Sequence, residues 1–336
     1  MAGRRAVVLA VLLIGAGLAR GEDAKPVAGL LLVVNKGDHT LGVVDPASGK
    51  SLATVVQSGV TAHEVAVSPD GRYAYLPIYG DSGVGRPGSD GRTLDVVNVG
   101  LRRRVAVIDL ALPTRPHAAA FGADGRLYVT TELTQSITVI DPRTNTVVDR
   151  IPTGQPESHM LVLSRDGRRA WTSNVGPGTV SAIDIKERRV IAIVPVSKTA
   201  QRIALSVDEK WLFTADQGEP RLAVIDTSTS RLARWIALPG KGYGAAPTPD
   251  GRWLLVALSG AGQVAVVDLQ AMTVARTLDV PKAPQEVLVR PDGKAAYVSC
   301  DASGKVAEID LASWKVARLL DAGAMVDGLA WAAAGR

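Results

Sequence analysis

The sequence is short of the side chains that carry most redox and covalent chemistry. Its 336 residues include a single cysteine, and only 4% are aromatic. Cys300 cannot form an intramolecular disulfide, so stability in an oxidising compartment has to come from packing. No paired-cysteine motif, nucleophile elbow or phosphate-binding loop occurs. Beyond residue 21 no apolar run is long enough to span a bilayer. Charge of one sign is also scarce: the formal net charge of +5 falls to +2 once Arg4, Arg5 and Arg20 are set aside with the first 21 residues. The basic balance is therefore weak support for nucleic-acid binding. The strongest basic run, Arg102-Arg103-Arg104, has no aromatic platform beside it and reads as a solvated turn.

What is present at the N-terminus is a secretory signal. Arg4 and Arg5 precede the apolar stretch AVVLAVLLIGAGLA (6–19), and Ala19-Arg20-Gly21 offers small residues for cleavage. The expectation is an exported protein, periplasmic or secreted, with residues 1–21 removed and no membrane span left.

A phrase then recurs: a polar leader, an apolar run and an Asp-Gly turn. It reads HEVAVSPDG (63–71), HAAAFGADG (117–125), HMLVLSRDG (159–167), QRIALSVDE (201–209), YGAAPTPDG (243–251) and QEVLVRPDG (285–293). The leaders His63, His117, His159, Gln201, Tyr243 and Gln285 are spaced 54 and then 42 residues apart, and a further 42 reaches Asp327. A second series, strands ending at Asp45, Asn98, Asp141, Asp184, Asp226, Asp268 and Asp310, repeats the period. AVID at Asp109 falls out of step, so Asn98 is the anchor and the long first interval holds an insertion, YGDSGVGRPGSDGRT (79–93).

Each period contains four short Val- and Ile-rich runs separated by turn residues, the third unit being 159–164, 168–174, 179–184 and 188–195. This predicts antiparallel strands. A period of about 40 residues with four strands each predicts an all-β fold, a seven-bladed β-propeller with four-stranded blades over 27–336. LLLVVN (30–35) matches a second strand and GLAWAAA (328–334) a first, so the last blade should take one strand from the C-terminus and three from residues 30–57. Trp171, Trp211, Trp253 and Trp331 are expected in the core between blades, and Cys300 as a small buried residue.

LYVTTE (127–132), WTSNVGPGTVSAID (171–184) and SPDGRYAYLP (68–77) resemble the YVTN-type β-propeller repeat family. That resemblance implies kinship with bacterial surface-layer and periplasmic propellers. More distantly it points to lactonase-like propellers and the d1-haem domain of cytochrome-type nitrite reductases. It specifies a fold rather than a function. In the d1-haem reading one leader histidine would be an axial ligand. No CxxCH site exists for a c-type haem, so this chain alone is not a two-haem reductase.

Propeller geometry puts the seven leaders in a polar ring at one mouth of the central channel. Arg202, Glu286 and Glu64 follow their leaders, and Asn174, Asp216 and Asp301 come from loops between second and third strands on that face. Arg86, in the inserted segment, could act in a lid and meet an anionic ligand. The reading is a binding or scaffold protein for a small molecule, peptide or partner protein, monomeric and without nucleic acid. The alternative is a metal-dependent or acid–base enzyme. A transition metal would sit on His63, His117 and His159, and a base would be His63 held by Glu64 or His159 held by Glu157. The Asp-Gly and Asp-Pro turns of the other face read as structural.

Overall fold

A computed structural model describes residues 28–334. The signal and its cleavage site lie outside them. Seven four-stranded antiparallel sheets follow one another along the chain, the seven-bladed propeller that the repeat implies. The third unit has strands Ser158–Leu163, Arg169–Asn174, Thr179–Asp184 and Arg189–Pro195, innermost to outermost. Numbering starts at the blade whose leader is His63, so the blade joining the two ends is the seventh.

That seventh blade runs Val326–Ala333, Gly29–Asn35, Thr40–Val44, Ser51–Val56. Leu31 pairs with Trp331 and Leu32 with Ala330, which locks the C-terminal strand against the N-terminal one. The neighbouring innermost strands touch as well: Gly328 N–H donates to His63 O at 2.9 Å. A Cβ on Gly328 would lie 2.5 Å from that oxygen, so only glycine allows the approach.

The turns explain why the motif recurs. In blades 1, 3, 4 and 5 a Ser or Thr hydroxyl donates to the turn aspartate, as Ser68 Oγ to Asp70 Oδ1 at 2.6 Å. The same carboxylate accepts the N–H two residues on, as from Arg72 at 3.0 Å. Asp70 is thereby held at a pKa of about 2, chiefly by the Ser68 bond. These aspartates are structural, as the regularity of that face suggested. In blade 4 the glycine is replaced by Glu209, with φ of 60°; its carboxylate accepts from the N–H of Arg165 at 2.8 Å, which helps hold the unusual conformation.

Hydrophobic cores sit between blades rather than within them. Leu32, Val34, Leu41 and Val43 of blade 7 pack with Ala74, Leu76 and Val97 of blade 1. Trp171 belongs to such a core between blades 3 and 4, and partly buried Trp211 and Trp253 pack at the next junctions. Cys300 is fully buried, and burial pushes its thiol up to about 12. In blade 1 the third strand is Asp90–Asn98 and the fourth Arg103–Asp109, so Asn98 is the anchor and AVID the outer strand. The insertion is partly a longer hairpin, with Gly80 opposite Asp90, leaving 81–89 as loop.

Candidate functional site

Three of the chain's four histidines are leaders, and they meet. His117 Nε2 lies 3.3 Å from His63 Nδ1. The His117 and His159 rings stack at 3.4 Å between centroids, and His159 Nε2 lies 3.2 Å from the Gln201 amide nitrogen. Four consecutive blades are linked by side-chain contact at one end of the channel, as circular symmetry of the repeat requires.

The proton positions follow from the partners. His159 Nδ1 makes a very short contact with Glu132 Oε1, so that nitrogen carries the hydrogen and Nε2 accepts from Gln201. Tyr79 Oη donates to the other oxygen of Glu132 at 2.8 Å. Glu132 and His159 are both almost fully buried. His117 Nδ1 is buried without a partner, which favours leaving it bare, with Nε2–H donating to His63. Burial pulls the His63 pKa down to about 3, helped by Lys36, His159 and Arg202 and opposed by Asp327. His117 is lowered too, by burial and by its two imidazole neighbours.

The second half of the site is an ion cluster on the axis. Arg202, from blade 4, reaches Asp327 of blade 7 at 2.7 Å, Glu64 of blade 1 at 2.7 Å and Glu286 of blade 6 at 3.5 Å. Blade 4 stands opposite the junction of blades 7 and 1, so this guanidinium crosses the channel and plugs it. Its Cζ lies 5.3 Å from the centre of the Tyr243 ring, a cation–π contact. Lys36 bridges Asp327 at 3.0 Å and Asp301 at 3.2 Å. Burial lowers its pKa, but those two carboxylates outweigh burial and hold the ammonium charged.

The acids do not share one state. Burial drives Glu64 well above the usual carboxylate range, against the pull of Arg202 and with Glu286 adding repulsion. Its Oε1 is close to Arg202 yet out of line for a hydrogen bond. Burial raises Glu286 as well, whereas Arg202 and Lys36 overcome burial and keep Asp327 low. Of these acids Glu64 is pushed furthest toward its neutral form.

Several expectations need correction. Glu64 serves Arg202, not His63. Glu157 does not hold His159: a Cβ on Gly85 would sit 2.5 Å from Glu157 Oε1 and one on Gly176 2.5 Å from Oε2, so its carboxylate is wedged between the insertion and the blade 3 loop. The three imidazoles are close enough to share an ion, but stacked rings hold their in-plane lone pairs in nearly parallel planes. Among the described residues no group of three or more His, Cys, Asp or Glu side chains could hold a metal ion. Asn174 is buried inside blade 3, bonded to Thr179 and Ser181 at 3.0 Å each. Asp216 pairs with Arg221 at 2.9 Å and accepts Gly218 N–H at 2.9 Å, holding its own loop. Gln285 contributes its carbonyl to Gly244 N–H and is partly buried. Lys36 and Tyr79 entered the site without a sequence signal, while Glu132 was recognisable only as a polar loop residue.

Arg86 is exposed, and its carbonyl is held by Arg115, which donates Nη2 to Arg86 O at 2.6 Å and Nε to Asp90 Oδ1 at 2.5 Å. Arg115 is nearly buried and staples the insertion to the entrance of blade 2. Replacing it with alanine should speed thermolysin cleavage within 81–89 roughly tenfold, the effect of losing hydrogen bonds worth about 1–1.5 kcal/mol. An unchanged cutting rate would show that the loop is held by other contacts.

The fold and site define a β-propeller with a polar, ion-plugged funnel. Residues 123–327 match the family described as Cytochrome D1 heme domain, and the chain belongs to that family. No curated protein matches it. Among solved structures it is similar to Kuenenia stuttgartiensis hydrazine synthase, with 20% identity, TM-score 0.71 and coverage of 88% of this chain and 99% of that one. It is also similar to dihydro-heme d1 dehydrogenase NirN in complex with DHE, with 16% identity, TM-score 0.66 and coverage of 90% and 74%. At such identities the likeness is one of fold.

The funnel's own residues do not suit the iron tetrapyrrole that the family description implies. A macrocycle bearing carboxylates needs unpaired cations and apolar faces at its seat. Here Arg202 pairs with Asp327 and Glu286, Lys36 with Asp327 and Asp301, and Arg115 with Asp90. His159 is engaged at both ring nitrogens, and His117 at Nε2, its bare Nδ1 being buried away from the channel's solvent.

Proposed function

We propose that this propeller is an exported binding protein for a small polar molecule, seated at the funnel mouth, where Glu132 and His159 supply acid–base capacity. The observation that carries this is the buried Tyr79–Glu132–His159 relay. A carboxylate held by a tyrosine fixes the tautomer of an imidazole whose Nε2 meets only the Gln201 amide. A ligand that displaces Gln201 gains an oriented acceptor or base. His63 and Tyr243, each partly exposed, and the Lys36–Asp301 pair supply further polar contacts. Export rests on the N-terminal signal. Among the described residues no helix is long and apolar enough to cross a membrane.

The test is dialysis of the purified mature protein against a polar small-molecule extract, followed by mass spectrometry of what is retained. A compound held by the wild type should be lost, at least tenfold, in His159→Asn and Gln201→Ala variants whose thermal midpoints are unchanged. That loss matches one charge-assisted or two neutral hydrogen bonds, about 1.4 kcal/mol or more. Equal retention by all three proteins would remove the funnel from consideration. Added haem d1 should give no stoichiometric complex sensitive to His63→Ala; such a complex would reverse the conclusion on fit.

A further inference from the structure

The face opposite the funnel carries a groove between blades 1 and 2 with a cavity of about 580 Å³, within the ~300–1,000 Å³ usual for small-molecule sites. The repeat supplies a comparison for its lining. In every blade the residue four positions after the third-strand anchor turns left-handed, with φ between 52° and 72°: Gly49, Arg102, Asn145, Arg188, Ser230, Met272 and Trp314. At two junctions that residue packs against the preceding blade. Trp314 of blade 6 lies edge-on to Trp253 of blade 5 at 5.5 Å, with Arg276 over both rings. Met272 of blade 5 packs on the core that blade 4 shares with it.

Blade 2 places Asn145 there instead. Its short side chain lines the cavity, and its Oδ1 is buried without a hydrogen-bond partner. Tyr75 and Val96, both buried, also line it, and the Phe121 ring stands edge-on to Tyr75 at 5.4 Å. Val105, 41% exposed, lines the outer side. Arg72 and Arg143 stand at the edge, each already paired, with Asp70 at 2.6 Å and Asp141 at 2.8 Å. The groove therefore has aromatic walls, no uncompensated charge and one unused acceptor.

We propose that it binds a planar aromatic small molecule bearing an N–H donor, of which indole is the simplest. The ring takes the place that the Trp314 indole occupies between blades 5 and 6, and its N–H meets Asn145 Oδ1 once that short side chain turns into the groove. Edge-to-face contact with Tyr75 and Phe121 supplies the geometry that aromatic pairs prefer. The site is independent of the funnel, being on the other face.

The probe is indole, added to the full-length mature protein and followed by calorimetry or ligand-observed NMR. Saturable binding is expected at about 0.1–1 mM, the range for so few heavy atoms. Asn145→Trp, which copies blade 6, should weaken it at least tenfold and raise the melting temperature. Asn145→Met, which copies blade 5, should do the same and decides the matter if the tryptophan variant does not fold. No indole binding at 10 mM, or binding unaltered in a folded variant, overturns the proposal. So does binding of a tryptophan-bearing peptide without binding of indole, since the groove would then be a protein-docking surface.

Discussion

Replacing Arg202 with alanine lowers the unfolding free energy by about 3–5 kcal/mol, the usual cost of leaving buried charges without their partner. Asp327 and Glu286 would lose the guanidinium that faces them across the channel, and Lys36 alone would remain to compensate Asp327. Glu64→Gln, at the same cluster, should change stability by less than about 1 kcal/mol near neutral pH, because burial pushes Glu64 toward its neutral form and an amide preserves its shape. Chemical denaturation of the two variants checks this. Equal losses would mean that Glu64 is ionised in the folded protein. The pH dependence gives a second reading. A carboxyl whose folded pKa is raised contributes fully below its unfolded value of 4.5 and loses that contribution as pH rises through the folded value. Glu64→Gln should therefore flatten the alkaline side of the stability curve. Asp327, held low, works the other way: its contribution is present above 3.8 and is lost as pH falls through its folded pKa.

Acidification produces the other large effect. Between pH 7 and pH 4 the protein should lose roughly 3 kcal/mol through His63 alone, at about 1.4 kcal/mol per pH unit over the window where only the unfolded chain takes up the proton. That window runs from the ordinary 6.5 down to about 3. His117, lowered in the same direction, adds to the loss. The groups facing these imidazoles are His159, Tyr79, Lys36, Arg202 and Asp327. Only Asp327 among those invoked favours a charge on His63. A His63→Asn/His117→Asn double variant should show a shallower fall in urea midpoint from pH 7 to 4. A slope identical to the wild type would mean that neither imidazole carries the acid loss.

The blade count, the closing strand pair and the position of the insertion were legible because each is a statement about period. Turn aspartates and Val-rich runs repeat for local reasons that the chain states openly. The convergence of His63, His117 and His159 was legible for the same reason. Their chemistry was not. Whether Glu157 or Glu132 meets His159 depends on side-chain direction across two blades, and Glu132, one residue past the second strand Leu127–Thr131, lies 27 positions from its partner. Arg202 could be placed beside the ring, but its choice of carboxylates from blades 1, 6 and 7 requires the diameter of the channel. Asn174 and Asp216 misled for the opposite reason: polar residues at strand ends served their own hairpins.

The pairing of Val326–Ala333 with Gly29–Asn35 has a consequence for biogenesis. A chain without residues 326–334 has six finished sheets and one that lacks its inner member. Its hydrogen-bonding rim then stays open to a protease or to another copy. Deleting 326–334 should accordingly turn a ring into an assembly-prone arc, distinguished from the closed ring by that single missing ribbon.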